Sequence, residues 1–128
     1  MNRLIRDCVQ IARRTLAHHP YTLSNKHHYS FIIVKGKIIE WATNYAGEPQ
    51  IKFGYHPRSS VHSEFMAYKR ARGLLRPNEP FTVINMRFNR KGKLMNSKPC
   101  SCCCAFLKHQ GCHSIWFSTD NDEIFLRL

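Results

Sequence analysis

The chain has 128 residues, enough for one compact domain (1–128) that buries a real core without help from disulfides. Hydrophobic residues make up 43%, Gly and Pro are scattered, and there is neither a low-complexity tract nor an internal repeat, which is the pattern of a globular protein. Twenty Lys and Arg against 8 Asp and Glu give a formal net charge of +12, spread along the chain, so the expected partner is an anion: a single-stranded nucleic acid, a nucleotide or an acidic macromolecule.

Met1 to Asp7 alternates charged with apolar residues and lacks the unbroken apolar run of a signal peptide. No stretch approaches membrane-spanning length, so a soluble, intracellular (cytoplasmic) protein with no membrane partner is expected. Leu4, Ile5, Cys8, Val9, Ile11, Ala12 and Leu16 recur at helical spacing, which predicts an amphipathic helix ending before His19-Pro20. Two apolar runs, Tyr29 to Val34 and Lys37 to Thr43, flank Lys35-Gly36 and predict a hairpin. Asn44 to Ser60 carries Gly47, Pro49, Gly54 and Pro57 without sustained period and reads as a loop placed to line a site.

From Val61 to Leu75 a second helix is predicted, begun near Ser60 and weakened at Gly73, with Glu64, Ala67, Tyr68, Ala71, Leu74 and Leu75 near one side. Phe81 to Phe88 alternates as a third strand, and Asn89 to Lys93 is a basic projecting turn. A short third helix fits Cys102 to Gln110, with Gly111 as its C-terminal cap. Ser114 to Ser118 and Glu123 to Leu126 are two more strands. The gap between them is so short that only an antiparallel turn can span it. The order α, β, β, α, β, α, β, β predicts an α/β sandwich of two or three layers around a mixed sheet.

Six cysteines are present, and four of them crowd into positions 100 to 104. Neighbours that close cannot staple distant parts of a chain, so the cluster reads as metal-binding or redox-active. Zinc takes His nitrogen and Cys thiolate, and a catalytic site keeps three protein ligands and an open fourth position. His62, Cys100 and Cys103 are the candidate ligands, with Cys102 or Cys104 as alternatives to Cys103. Pro-Cys-x-x-Cys spacing favours Cys103. Glu64 stands about 200° around an ideal helix from His62, so the two converge only by reaching around the helix's N-terminal end. That makes Glu64 a proton carrier beside the metal and not a fourth ligand. A closed zinc knot completed by Cys112 or His113, or a redox thiol pair, is the structural alternative.

With His62-Ser63-Glu64 and Pro99-Cys100-Ser101-Cys102-Cys103 in view, the chain resembles the cytidine deaminase superfamily, whose signature is His-x-Glu followed by Pro-Cys-x-x-Cys. The similarity runs nearly the whole length. It implies a cytidine-deaminase-like α/β/α sandwich, a five-stranded mixed sheet with about three helices, and a Zn2+ cofactor. The closely spaced last strands resemble the branch that ends in a β-hairpin. The resemblance also implies that Asn44 hydrogen-bonds the substrate sugar, and that Phe31 flanks the base pocket unless it is simply core. In the same way it implies that backbone groups at Val61 or Ser63 read the base edge. Homo-oligomers are common in that family.

Ser63 stands where the family usually has Ala, a small change that preserves the helix turn; Asn44 is followed by Tyr45-Ala46-Gly47 and Cys103 by Cys104-Ala105, so a standard nucleoside-salvage role does not follow. The expected function is hydrolytic deamination of a cytosine-type base in single-stranded nucleic acid or a nucleotide. In that case Arg87, Arg90, Lys91, Lys93, Lys98, Lys69, Arg70 and Arg72 are available for phosphates, and Tyr55 or Trp116 for stacking. The alternatives are deamination of a free nucleoside or other small amine, and a non-catalytic zinc module that binds nucleic acid.

Overall fold

The structure is a computed structural model, and it describes residues 2–18, 27–43, 62–89, 91–121 and 124–128. The chain begins with α1 (Asn2–His18), then β1 (His27–Val34) and β2 (Lys37–Thr43) form an antiparallel hairpin. The turn residues Lys35 and Gly36 both have positive φ, 51° and 75°. That backbone twist matches the right-handed twist of the flanking strands, and Gly adopts it without steric cost. Next come α2 (Ser63–Ala71), a 3-10 turn (Arg72–Leu74), β3 (Phe81–Phe88), β4 (Leu94–Met95), α3 (Ser101–His109), β5 (Cys112–Ser118) and β6 (Phe125–Arg127).

The strands form one mixed sheet in the order β2-β1-β3-β5-β6, with β4 paired to β3 off this path. β3 and β5 are parallel, and every other pairing is antiparallel. The final pair, with Ser118 opposite Phe125, is the antiparallel hairpin that the short gap required. The expected five strands make up the main path. The sixth, β4, was not foreseen, because two residues are too few to show alternation and only pairing to Arg87 and Phe88 makes them a strand.

Alternation along the central strands divides the core in two. Ile5, Cys8 and Ala12 of α1 pack against Tyr29, Phe31 and Ile33 of β1 and Ile84, Met86 and Phe88 of β3. On the other face, Ala67 and Ala71 of α2 and Phe106 and Leu107 of α3 pack against Ile32, Val34, Val83 and Ile115. Ala67 and Ala71 are fully buried, and their small side chains let α2 lie close on the sheet. Leu74, expected on the buried side, is 61% exposed. The helix tightens into the 3-10 turn after Ala71, which rotates the following residues off the α-helical stripe. Gly111, with φ 96°, ends α3 as the sequence predicted. Among the described residues no helix is long and apolar enough to cross a membrane.

Candidate metal centre

The α2 helix starts later than the sequence suggested. Its first residue is Ser63, and His62 is the cap, with extended backbone (φ −74°, ψ 143°). The first helical bond is Met66 N–H to His62 C=O at 3.2 Å. Cys100 occupies the same position on α3, with φ −66° and ψ 163°. Its Sγ accepts the Cys103 backbone N–H at 3.4 Å, as a serine hydroxyl would at an N-cap. Extended backbone at both caps turns these side chains back over the helix ends. Cys103, one turn into α3, returns to the same point because its side chain leans toward the helix N-terminus.

The three side chains converge. His62 Nδ1 lies 3.2 Å from Cys103 Sγ and 3.7 Å from Cys100 Sγ. The three ligand atoms fall within 4.8 Å of one another, the one such His/Cys/Asp/Glu group among the described residues. A tetrahedral ion with Zn–S near 2.3 Å and Zn–N near 2.05 Å has N···S edges of about 3.6 Å. The observed separations bracket that value, so the residues fit zinc through Nδ1 and two sulfurs. The cysteines that the structure brings to His62 are Cys100 and Cys103, while Cys102 and Cys104 are not in the group. Cys112 and His113 begin β5 beyond the far end of α3, which is about 14 Å long, so neither can close the site as a fourth ligand.

Electrostatics suit thiolate ligands. Hydrogen bonding from the Cys103 side chain, then from His62 and the Cys103 N–H, and the charge of His62 hold the Cys100 thiol down at about 4 against the burial that raises it. His62 is raised above its ordinary value, first by its bond to Cys100 and also by the charges of Glu64 and Cys100, against burial. Both caps lie at helix N-termini, where the dipole favours anions. Cys103 is buried, His62 half-buried and Cys100 exposed, so the cluster reaches solvent on one side.

Glu64 is buried beside this cluster, at 5% exposure. Its Oε1 accepts the Ser63 hydroxyl at 2.9 Å. Ser63 Oγ lies 2.7 Å from Ser30 Oγ on β1, and Ser30 donates to Asn85 Oδ1 on β3 at 2.6 Å. All four residues are buried. Three bonds join these groups, while the two hydroxyls supply only two protons. The third proton comes from an Asn85 amide turned so that its NH2 meets Ser30. Sequence reading missed Ser30 and Asn85. The available signal in β1 was Ser30, a lone polar residue between Tyr29 and Val34, but its pairing with Asn85 across the sheet is visible only in the structure.

The remaining sequence-predicted site residues separate by sheet face. Ser63 is buried beside His62, with its hydroxyl bonded to Glu64 and Ser30. Phe31 lies on the opposite face, fully buried among the α1 side chains and stacked on Trp41 at 5.9 Å between centroids. Trp116 also packs on the α1 side, away from the cluster. Asn44, Tyr55, Val61 and Arg90 lie outside the described residues. Lys69, Arg70, Arg72, Lys91, Lys93 and Lys98 are exposed, and Arg87 is half-buried.

Comparison with protein-family models, with curated proteins and with solved structures returned no match. The fold and the site define an α/β protein with a His-Cys-Cys group able to hold a metal ion.

Proposed function

We propose that the chain is a zinc-dependent hydrolytic deaminase that converts a cytosine-type base to uracil, in single-stranded nucleic acid or a nucleotide, on a cytidine-deaminase-like α/β/α sandwich. The observation that carries this reading is the meeting of His62, Cys100 and Cys103 at two helix caps with the buried carboxyl of Glu64 alongside. A structural zinc site has four protein ligands and no use for a buried acid next to it. The helices on both sheet faces and the antiparallel last strands support the same reading.

When bound, zinc supplies a Lewis acid that lowers the pKa of a coordinated water to about 7. Glu64 would take one proton from the attacking water and deliver it to the departing amino group, while the water's other proton ends on the adjacent ring nitrogen, so the ring carbon gains a carbonyl and the amine leaves as ammonia. Glu64 therefore alternates between carboxylate and acid. Ser63 can serve both states, donating to the carboxylate and accepting from the acid. Ser30 and Asn85 anchor Ser63 to the sheet, which limits the rotation of Glu64. The exposed edge at Cys100 gives the base its entry. A single strand suits the chemistry, because the amino carbon is hidden inside a duplex.

The test is mass spectrometry of products from zinc-loaded protein given a mixed panel of nucleosides, nucleotides and oligonucleotides. Uracil from a cytosine-containing member is expected. No deaminated product from any member would exclude catalysis and leave a zinc module that binds nucleic acid.

A further inference from the structure

Arg87 stands on the sheet face that α2 and α3 cover. Alternation along β3 puts Phe81, Val83 and Asn85 on that face, and Arg87 is the next in the series. It lies about 7 Å beyond Asn85 along the strand, at the end of the sheet where the metal cluster sits. Its neighbours across the sheet are His28 on β1 and Met95 on β4. Its backbone N–H donates to Ser118 Oγ at 3.2 Å. The same hydroxyl donates to Met95 C=O at 2.7 Å and lies 2.8 Å from Ser97 Oγ. Ser97 also donates to Asn85 C=O at 3.1 Å. Position 87 is thus tied to the segment that runs through Pro99 into the ligand Cys100.

The side chain of Arg87 is the anomaly of this face. Its Nε is buried and has no hydrogen-bond partner, the one such side-chain atom among the described residues. Ser30, Ser63, Glu64, Asn85, Ser97 and Ser118 are all bonded nearby. A guanidinium cannot escape by losing its charge, and a buried donor to which nothing is bonded is costly. Among the described residues no group meets this donor, and a bound anion is one partner that would. Arg87 is only half-buried, so part of the residue remains within reach of solvent. Its planar fork matches a phosphate, to which Arg binds by two parallel bonds. The net charge of +12 points to the same class of partner.

We propose that Arg87 is the phosphate-binding group of the substrate site, so that the pocket takes a phosphorylated nucleotide or strand in preference to a free nucleoside. The identity of the base at the metal rests on the proposed function. The phosphate contact rests on Arg87 alone.

Calorimetric titration of the zinc-loaded protein tests it, using cytidine, adenosine and guanosine against their 3′- and 5′-monophosphates. At least one monophosphate should bind about tenfold or more tighter than its nucleoside, the size of a hydrogen bond to a charged group. Arg87→Met should bring that ratio to within about twofold with nucleoside affinity unchanged, and Arg87→Lys should keep part of it. Zinc content and thermal melting report folding, and Arg87→Lys decides if Arg87→Met does not fold. The proposal is overturned if no monophosphate outbinds its nucleoside, if the preference survives both substitutions, or if nucleosides lose affinity equally. A preference that survives would mean that another group holds the phosphate, and an equal loss that Arg87 supports the site and does not read the phosphate. Arg87-dependent phosphate preference without deaminated product would sink the catalytic reading and leave this one standing.

Discussion

His62 Nδ1 and Cys103 Sγ lie 3.2 Å apart although 41 positions separate them in the chain. Each is positioned by a different helix start, so the pair exists only when α2 and α3 are docked on the same sheet face. A metal bound there ties the two helices together and stabilises the fold by mass action. One zinc per chain is expected by elemental analysis. His62→Ala and Cys103→Ser should lose it, whereas Cys102→Ser and Cys104→Ser should keep it. Zinc retained by Cys103→Ser but lost by Cys104→Ser would move the site.

Glu64→Gln removes the proton carrier and preserves shape. We expect it to hold zinc and melt like the parent protein while turnover falls by about 10²- to 10⁴-fold, the usual size of acid–base catalysis. Unchanged turnover would mean that the proton travels elsewhere.

Ser30→Ala breaks the chain from Asn85 to Ser63 and leaves a buried amide without its partner. A loss of about 1–3 kcal/mol in urea unfolding is expected. Ser63→Ala should leave zinc content intact and reduce turnover more than apparent substrate affinity, because it frees Glu64 to rotate. A purely structural serine would give the opposite pattern.

In the metal-free protein Cys100, held at about 4, is a thiolate at pH 6, while burial pushes Cys112 up to about 11 and Cys8 up to about 12. Iodoacetamide at pH 6 should therefore label Cys100 and spare Cys8 and Cys112, as peptide mapping will show. The sign for stability follows. An unfolded thiol has its ordinary value of 9.0, so Cys100 makes metal-free stability rise with pH from about 4 to about 9. Above about 9 the unfolded chain ionises Cys8 and Cys112 first, and stability falls. His62 must lose its raised proton before Nδ1 can bind metal, so zinc affinity should drop by up to about tenfold per pH unit on the acid side.

Phe31 is packed on the α1 side, so Phe31→Leu should cost about 1–3 kcal/mol of stability with no change in the apparent affinity for substrate. A shift in affinity at constant stability would return Phe31 to the pocket.

Much of this protein was legible in one dimension. Helix and strand periods placed α1, the Lys35-Gly36 hairpin, β3 and the last two strands, because alternation and 3.6-residue spacing are local properties of the chain. The spacing Pro-Cys-x-x-Cys named Cys100 and Cys103, because a cap and the residue one turn on always meet at a helix end. Tertiary structure alone decided the rest. It set His62 at a cap and not inside the helix, sent Phe31 to the far face, and paired Ser30 with Asn85 beneath Ser63. It also left the Nε of Arg87 buried and without a hydrogen-bond partner among the described residues. Those facts depend on which strand lies beside which and which face a helix covers. Contacts between residues dozens of positions apart settle such questions, and no window of sequence contains them.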